Sequence, residues 1–141
     1  MLNSFYREII NDHNLRPAHK LPLPVASCEL RGHNPSCGDD ITLQLVIEDG
    51  VIKDGAFTGS GCAISQASVD MMLDLVIGKT AEEALKCTDT FLRMIQGEAS
   101  EEEIGSLEEA GALVDVSHMP ARVKCAVLGW HTLENALNDF Q

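Results

Sequence analysis

Apolar residues recur at close to helical spacing at the start of the chain, at Leu2, Phe5, Ile9 and Ile10, which predicts a first helix over 2–14. Three prolines then fall within 17-PAHKLPLP-24, the mark of an extended connector. The period changes to two in 25-VASCELR-31, where Ala26, Cys28 and Leu30 share one face of a predicted strand. It stays two in 41-ITLQLVIE-48, with Ile41, Leu43, Leu45 and Ile47 on one side. Thr42, Gln44 and Glu48 occupy the other side, as on a solvated face. Asp49-Gly50 is a strong hairpin signal, and 51-VIKDGAFT-58 returns as the partner strand.

Beyond the hairpin the pattern is helical. Gly59-Ser60-Gly61 opens a helix at about Cys62 that stops at Gly78. Thr80 and Glu83 are spaced as a capping box for a third helix, which reaches about Gln96-Gly97. Pro120 starts a last helix whose stripe Ala126, Trp130, Leu133, Leu137 and Phe140 faces the core. Strands first and helices after predict an α+β fold: a small antiparallel sheet of about three strands, with helices packed on one face.

The 141 residues, 45% hydrophobic and 23% charged, suit one domain spanning 1–141. Arg7, Glu8 and Asp12 interrupt the first apolar residues, so no signal peptide is expected, and no apolar run reaches membrane-span length. The expected compartment is the cytoplasm. A net charge of −12 argues against a nucleic-acid partner. Seven carboxylates and no Lys or Arg lie between Glu98 and Asp115, which predicts a solvated acidic helix and loop.

Five cysteines in a reducing compartment point to thiols used for packing, metal or chemistry rather than disulfides. Cys28 in a strand and Cys87 at helical spacing from Ala84 and Phe91 read as packing residues. The other three sit at element ends. Cys37 lies in the loop of 33-HNPSCGDD-40, Cys62 at a helix start, and Cys125 near the start of the last helix. An antiparallel hairpin brings the Cys37 loop and the Cys62 turn to one end of the sheet; the position of Cys125 does not follow from that argument. A helix N-terminus favours a thiolate at Cys62, and Arg122, three residues before Cys125, favours one there. Asp39 opposes a thiolate at Cys37 unless a cation lies between them. A divalent metal resolves the conflict, since three sulfurs and one carboxylate oxygen complete a tetrahedral zinc shell. All five histidines read as surface or packing residues.

The stretches NPSCGD, GSGCAIS and RVKCAVLGW, in this order and spacing, resemble the iron–sulfur assembly superfamily of IscU and NifU N-terminal domains. They resemble its SufU branch more closely, and the likeness runs from residue 1 to 141. Lys124 stands where the IscU-like scaffolds carry a histidine, MPARVK stands in place of their chaperone-binding LPPVK, and the segment around 98–117 is longer. The resemblance implies zinc held by Cys37, Asp39, Cys62 and Cys125. It also implies a sulfurtransferase that accepts persulfide sulfur from a PLP-dependent cysteine desulfurase and works with downstream iron–sulfur assembly proteins.

Within that reading Cys37, on its Pro- and Gly-bounded loop, is the expected sulfur acceptor, and Arg122 the cation that offsets the negative site. Two alternatives stand beside it. One is a purely stabilising zinc. The other is a scaffold on which the same cysteines hold a [2Fe–2S] cluster made labile by Asp39. A metallohydrolase would need an open coordination position, which four protein ligands do not leave.

Overall fold

Two tight turns organise the sheet. Asp49 and Gly50 both adopt positive φ (53° and 74°), the geometry that joins strands with the natural sheet twist. In the other turn, Gly38 takes φ 74° and its N–H donates to the Asn34 carbonyl at 2.9 Å; a side chain would be strained there. The computed structural model describes residues 4–35 and 38–140, with side chains from residue 7 onward. The three strands are β1 (Cys28–Asn34), β2 (Asp39–Glu48) and β3 (Val51–Ser60), antiparallel in the order β1-β2-β3.

The helices are α1 (Ser4–Leu15), α2 (Ala63–Val76), α3 (Ala81–Ile95), α4 (Glu101–Ser106) and α5 (Pro120–Phe140), with 3-10 turns over Glu108–His118 between the last two. Ile41, Leu43, Leu45 and Ile47 of β2 are buried beneath the helices, whereas Thr42 and Gln44 on the opposite face are half-buried. The Pro-rich connector accounts for that partial cover. The Gln44 amide exchanges hydrogen bonds with the backbone of Leu23, and the Phe57 N–H donates to the His19 carbonyl.

The α+β architecture matches the sequence expectation, with three local differences. The first strand starts at Cys28 rather than residue 25 and runs on to Asn34, because the ladder continues down to Asn34 opposite Asp39. Asn34 therefore ends a strand rather than lying in a loop. Phe140 is 46% exposed rather than core-facing, since the core contacts of α5 end at Ala136 and Leu137. The acidic segment is also more than a solvated face: Leu107, Ala110, Leu113 and Val116 are buried while its carboxylates stay outside.

The core centres on α2 and α5. Trp130 of α5 stacks on Phe91 of α3, ring centroids 4.1 Å apart and 8° from parallel. Its indole N–H donates to Ser68 Oγ at 3.0 Å, and Ser68 donates to the Ala126 carbonyl at 2.6 Å. This buried chain fixes α5 against α2 one residue from Cys125.

A candidate metal centre at the end of the sheet

Three elements terminate or begin at one end of the sheet, and each brings a metal-binding side chain. Asp39 is the first residue of β2 and is fully buried. Cys62 follows β3 as the N-cap of α2, its sulfur accepting from the Ser65 N–H at 3.4 Å. Cys125 lies in the second turn of α5 and is buried. One carboxylate oxygen of Asp39 and the two sulfurs lie within 4.8 Å of one another.

The carboxylate is held from several sides. Asp39 Oδ1 accepts from the Cys62 N–H at 3.1 Å and from Ser65 Oγ at 3.2 Å. Its Oδ2 accepts from Asn34 Nδ2 at 3.4 Å. Asn34 also donates to the Lys124 carbonyl at 3.1 Å, which joins the turn to the residue before Cys125. Gly61 leaves the room this arrangement needs. A Cβ there would lie 2.4 Å from Ser65 Oγ and 2.7 Å from Asp39 Oδ1.

Burial pushes the Cys125 thiol up, and the nearby Cys62 and Asp39, through hydrogen bonds and negative charge, push it further. Without a cation the thiol therefore stays protonated at neutral pH. A dication reverses this balance by favouring every anion that faces it. The donor set fits zinc, which takes cysteine sulfur and carboxylate oxygen ligands, and the three donor atoms already lie within 4.8 Å of one another.

Of the residues singled out in the sequence, Asp39, Cys62 and Cys125 converge, including the pairing with Cys125 that hairpin geometry left undetermined. Cys37 lies outside the described residues. Cys28 and Cys87 pack against the core outside this cluster, both thiols pushed up chiefly by burial. Arg122 is exposed, in a groove of about 400 Å³ beside the start of α2. Arg7, Ile10, Ala63, Ile64 and Met119 also line it.

The residues that sequence reading missed are polar neighbours of Asp39. Asn34 and Ser65 hydrogen-bond to it, Gln66 lies beside them without such a bond, and only spacing offered a signal: Ser65 and Gln66 fall three and four residues after Cys62. The sequence places His13 among surface or packing residues. It is buried, with Nδ1 at 2.6 Å from Asp70 Oδ2 and Nε2 at 2.8 Å from Glu109 Oε1. With Asp74 it forms a second group of possible metal donors. Both ring nitrogens are already committed to carboxylates, so this cluster works as an ionic strut between α1, α2 and the 3-10 segment.

A three-stranded sheet under a helical layer, with thiols and a carboxylate gathered at one sheet end, defines a class of small metal- or sulfur-handling domains. The chain belongs to the NifU-like N terminal domain family, whose model matches residues 5–141. It is 42% identical over 139 residues to the iron-sulfur cluster assembly scaffold protein IscU of Streptococcus pyogenes serotype M1, covering 96% of this chain and 84% of that one. It is 39% identical over 136 residues to the zinc-dependent sulfurtransferase SufU of Bacillus subtilis, covering 96% and 91%. Among solved structures, a putative scaffold protein for the SUF system from Fervidobacterium islandicum superposes with a TM-score of 0.84. It is 39% identical, over 92% of this chain and 94% of that one.

Proposed function

We propose that this protein accepts persulfide sulfur from a PLP-dependent cysteine desulfurase and passes it on toward iron–sulfur cluster assembly, with a resident zinc ion at the sheet end. The observation that carries this reading is the convergence of Asp39, Cys62 and Cys125, with Lys124 rather than histidine before Cys125. The similarity to a named zinc-dependent sulfurtransferase supports it. In this reading Cys37, Asp39, Cys62 and Cys125 hold the zinc, which supplies stabilised thiolates at neutral pH.

Cys37 is the sulfur acceptor. Its thiolate attacks the outer sulfur of the donor's persulfide, a new S–S bond forms on Cys37, and the donor's S–S bond breaks. The electron pair leaves on the donor cysteine as thiolate, the outer sulfur moves with its proton, and no oxidant or reductant is consumed.

The groove beside Cys62 is where the donor rests. The chain has five arginines, of which Arg16, Arg31 and Arg93 are paired with carboxylates. Arg7 and Arg122 have no such partner among the described residues, and both line this groove over an apolar floor of Ile10, Ile64 and Met119. Two free guanidinium groups at the edge of an acidic protein suit an acidic segment of the partner. Arg122 also offsets the negative charge of the site.

A second reading has its own support, since relatives 42% identical are named as scaffolds. The same cysteines would then hold a [2Fe–2S] cluster that is assembled and handed on. Protein purified without air separates the two: about one zinc per chain favours transfer, and iron with acid-labile sulfide favours the scaffold. Mass spectrometry after reaction with desulfurase and cysteine is expected to find the added sulfur first on Cys37. Cys37→Ala is expected to abolish stimulation of the desulfurase while the domain stays folded. Sulfur appearing first on Cys62 or Cys125 would overturn the assignment of the acceptor.

A further inference from the structure

Gln66 is 4% exposed, and neither its amide nitrogen nor its amide oxygen has a hydrogen-bond partner. Among the described residues these are the only buried side-chain polar atoms left so. Other buried polar side chains are satisfied, including Ser68, Thr88, Thr132 and Asp70. An orphaned amide inside a protein is costly, and such groups persist where a functional partner completes them.

Its position shows where that partner arrives. Gln66 lies on α2 one turn beyond Cys62, and its Nε2 is 3.1 Å from the point that a Cβ on Gly61 would occupy. Asp39 Oδ1 and Ser65 Oγ converge on the same point. The amide thus belongs to the polar wall that carries Asp39. Ser65 Oγ is engaged with Asp39 and the Cys62 carbonyl, and Asp39 accepts from Asn34, the Cys62 N–H and Ser65 among the described residues. The NH₂ of Gln66 is the donor of this wall with no described acceptor.

We infer that the Gln66 amide is a hydrogen-bond donor for sulfur loaded at the Asp39–Cys62–Cys125 site. The inference rests on the sulfur-handling function proposed above. The amide nitrogen is the atom on the side of this wall, 3.1 Å from the Gly61 point, so a guest on this side is an acceptor. It must also sit beside two cysteine sulfurs and a carboxylate, which expel a free anion but not sulfur bonded to a cysteine or to metal. Anionic sulfur meets both conditions, either as the terminal atom of a persulfide or as bridging sulfide in a cluster. An uncharged donor stabilises that sulfur without competing, as Lys or Arg would, for the carboxylate and thiolates of the site. Zinc turns the two thiols into thiolates that also accept hydrogen bonds, so the response to sulfur is the change beyond the zinc-loaded state.

Zinc-loaded protein labelled with ¹⁵N tests this directly. In that zinc-loaded protein the Gln66 side-chain amide resonances are expected to move when desulfurase and cysteine load sulfur. Gln66→Met, similar in length but without a donor, is expected to melt no lower than the wild type and to hold zinc as tightly. Its loaded state is expected to be lost roughly tenfold faster. Loss is read as persulfide lifetime by mass spectrometry in one arm. In the other, after anaerobic addition of ferrous iron and sulfide, it is read as cluster absorbance. The arm in which the variant fails identifies the guest. If wild type and variant release sulfur at equal rates, or the amide resonances ignore loading, the inference about Gln66 is wrong while the proposed function stands. If the wild type takes up sulfur in neither arm, both fall.

Discussion

Asp39 shows how much of the site is decided at the level of single residues. A buried carboxylate is costly unless it is paired, and this one accepts from a helix-start N–H, a hydroxyl and a side-chain amide. Those bonds orient it before any metal arrives. Gly61 is part of the same design, since its missing side chain lets Ser65 and Asp39 meet. Gly61→Ala would drive a methyl group against both atoms and displace the carboxylate. Disturbing support of this kind is expected to weaken zinc binding by about 10–100-fold. Competition with a chromogenic chelator measures it, and unchanged affinity would show that Asp39 tolerates the shift.

At the scale of elements, the decisive contact is that between α2 and α5. Ser68 Oγ both donates to the Ala126 carbonyl and accepts from the Trp130 indole, in a fully buried setting. Ser68→Ala strands the buried indole N–H, removes a second bond to the Ala126 carbonyl, and is expected to cost about 2 kcal/mol. Thermal melting of the metal-free variant should fall by roughly 4–8 °C for a domain of this size. Because the bond lies beside Cys125, zinc affinity should fall as well. A melting point equal to wild type would mean that water replaces the hydroxyl.

The elements themselves were largely legible, and the exceptions have physical reasons. Alternation in 41–48, the Asp49-Gly50 turn and the Thr80/Glu83 capping box are local signals, and each appears in the structure. The extension of β1 to Asn34 was not legible, because it depends on pairing with Asp39 across the turn. Phe140 misled because helical spacing continues past the end of the core. For the site, hairpin logic joined the Cys37 loop to the Cys62 turn, helix-start chemistry singled out Cys62, and the charge conflict with Cys37 singled out Asp39. The arrival of Cys125 and the orphaned Gln66 amide depend on how α5 packs on α2, which no local pattern records.

Across the whole molecule, the thiol cluster and the His13 strut make opposite demands on pH. His13 lies between Asp70 and Glu109, with Asp74 4.0 Å away and His19 bonded to Asp74. Burial lowers the pKa of His13, but its hydrogen bonds to Asp70 and Glu109 and their negative charge outweigh this and raise it above 6.5. The folded state therefore binds the proton more tightly than the unfolded chain does. The strut's stabilisation is fully present below about pH 6.5 and is lost as pH rises through the higher folded value. Zinc binding runs the other way, because the thiols must lose protons to hold the ion. Metal-free protein isolates the strut. His13→Gln is expected to lower the melting temperature of metal-free protein most at pH 6, with the gap to wild type narrowing steadily toward alkaline pH. A gap that is constant, or that widens as pH rises, would show that His13 contributes through packing rather than charge.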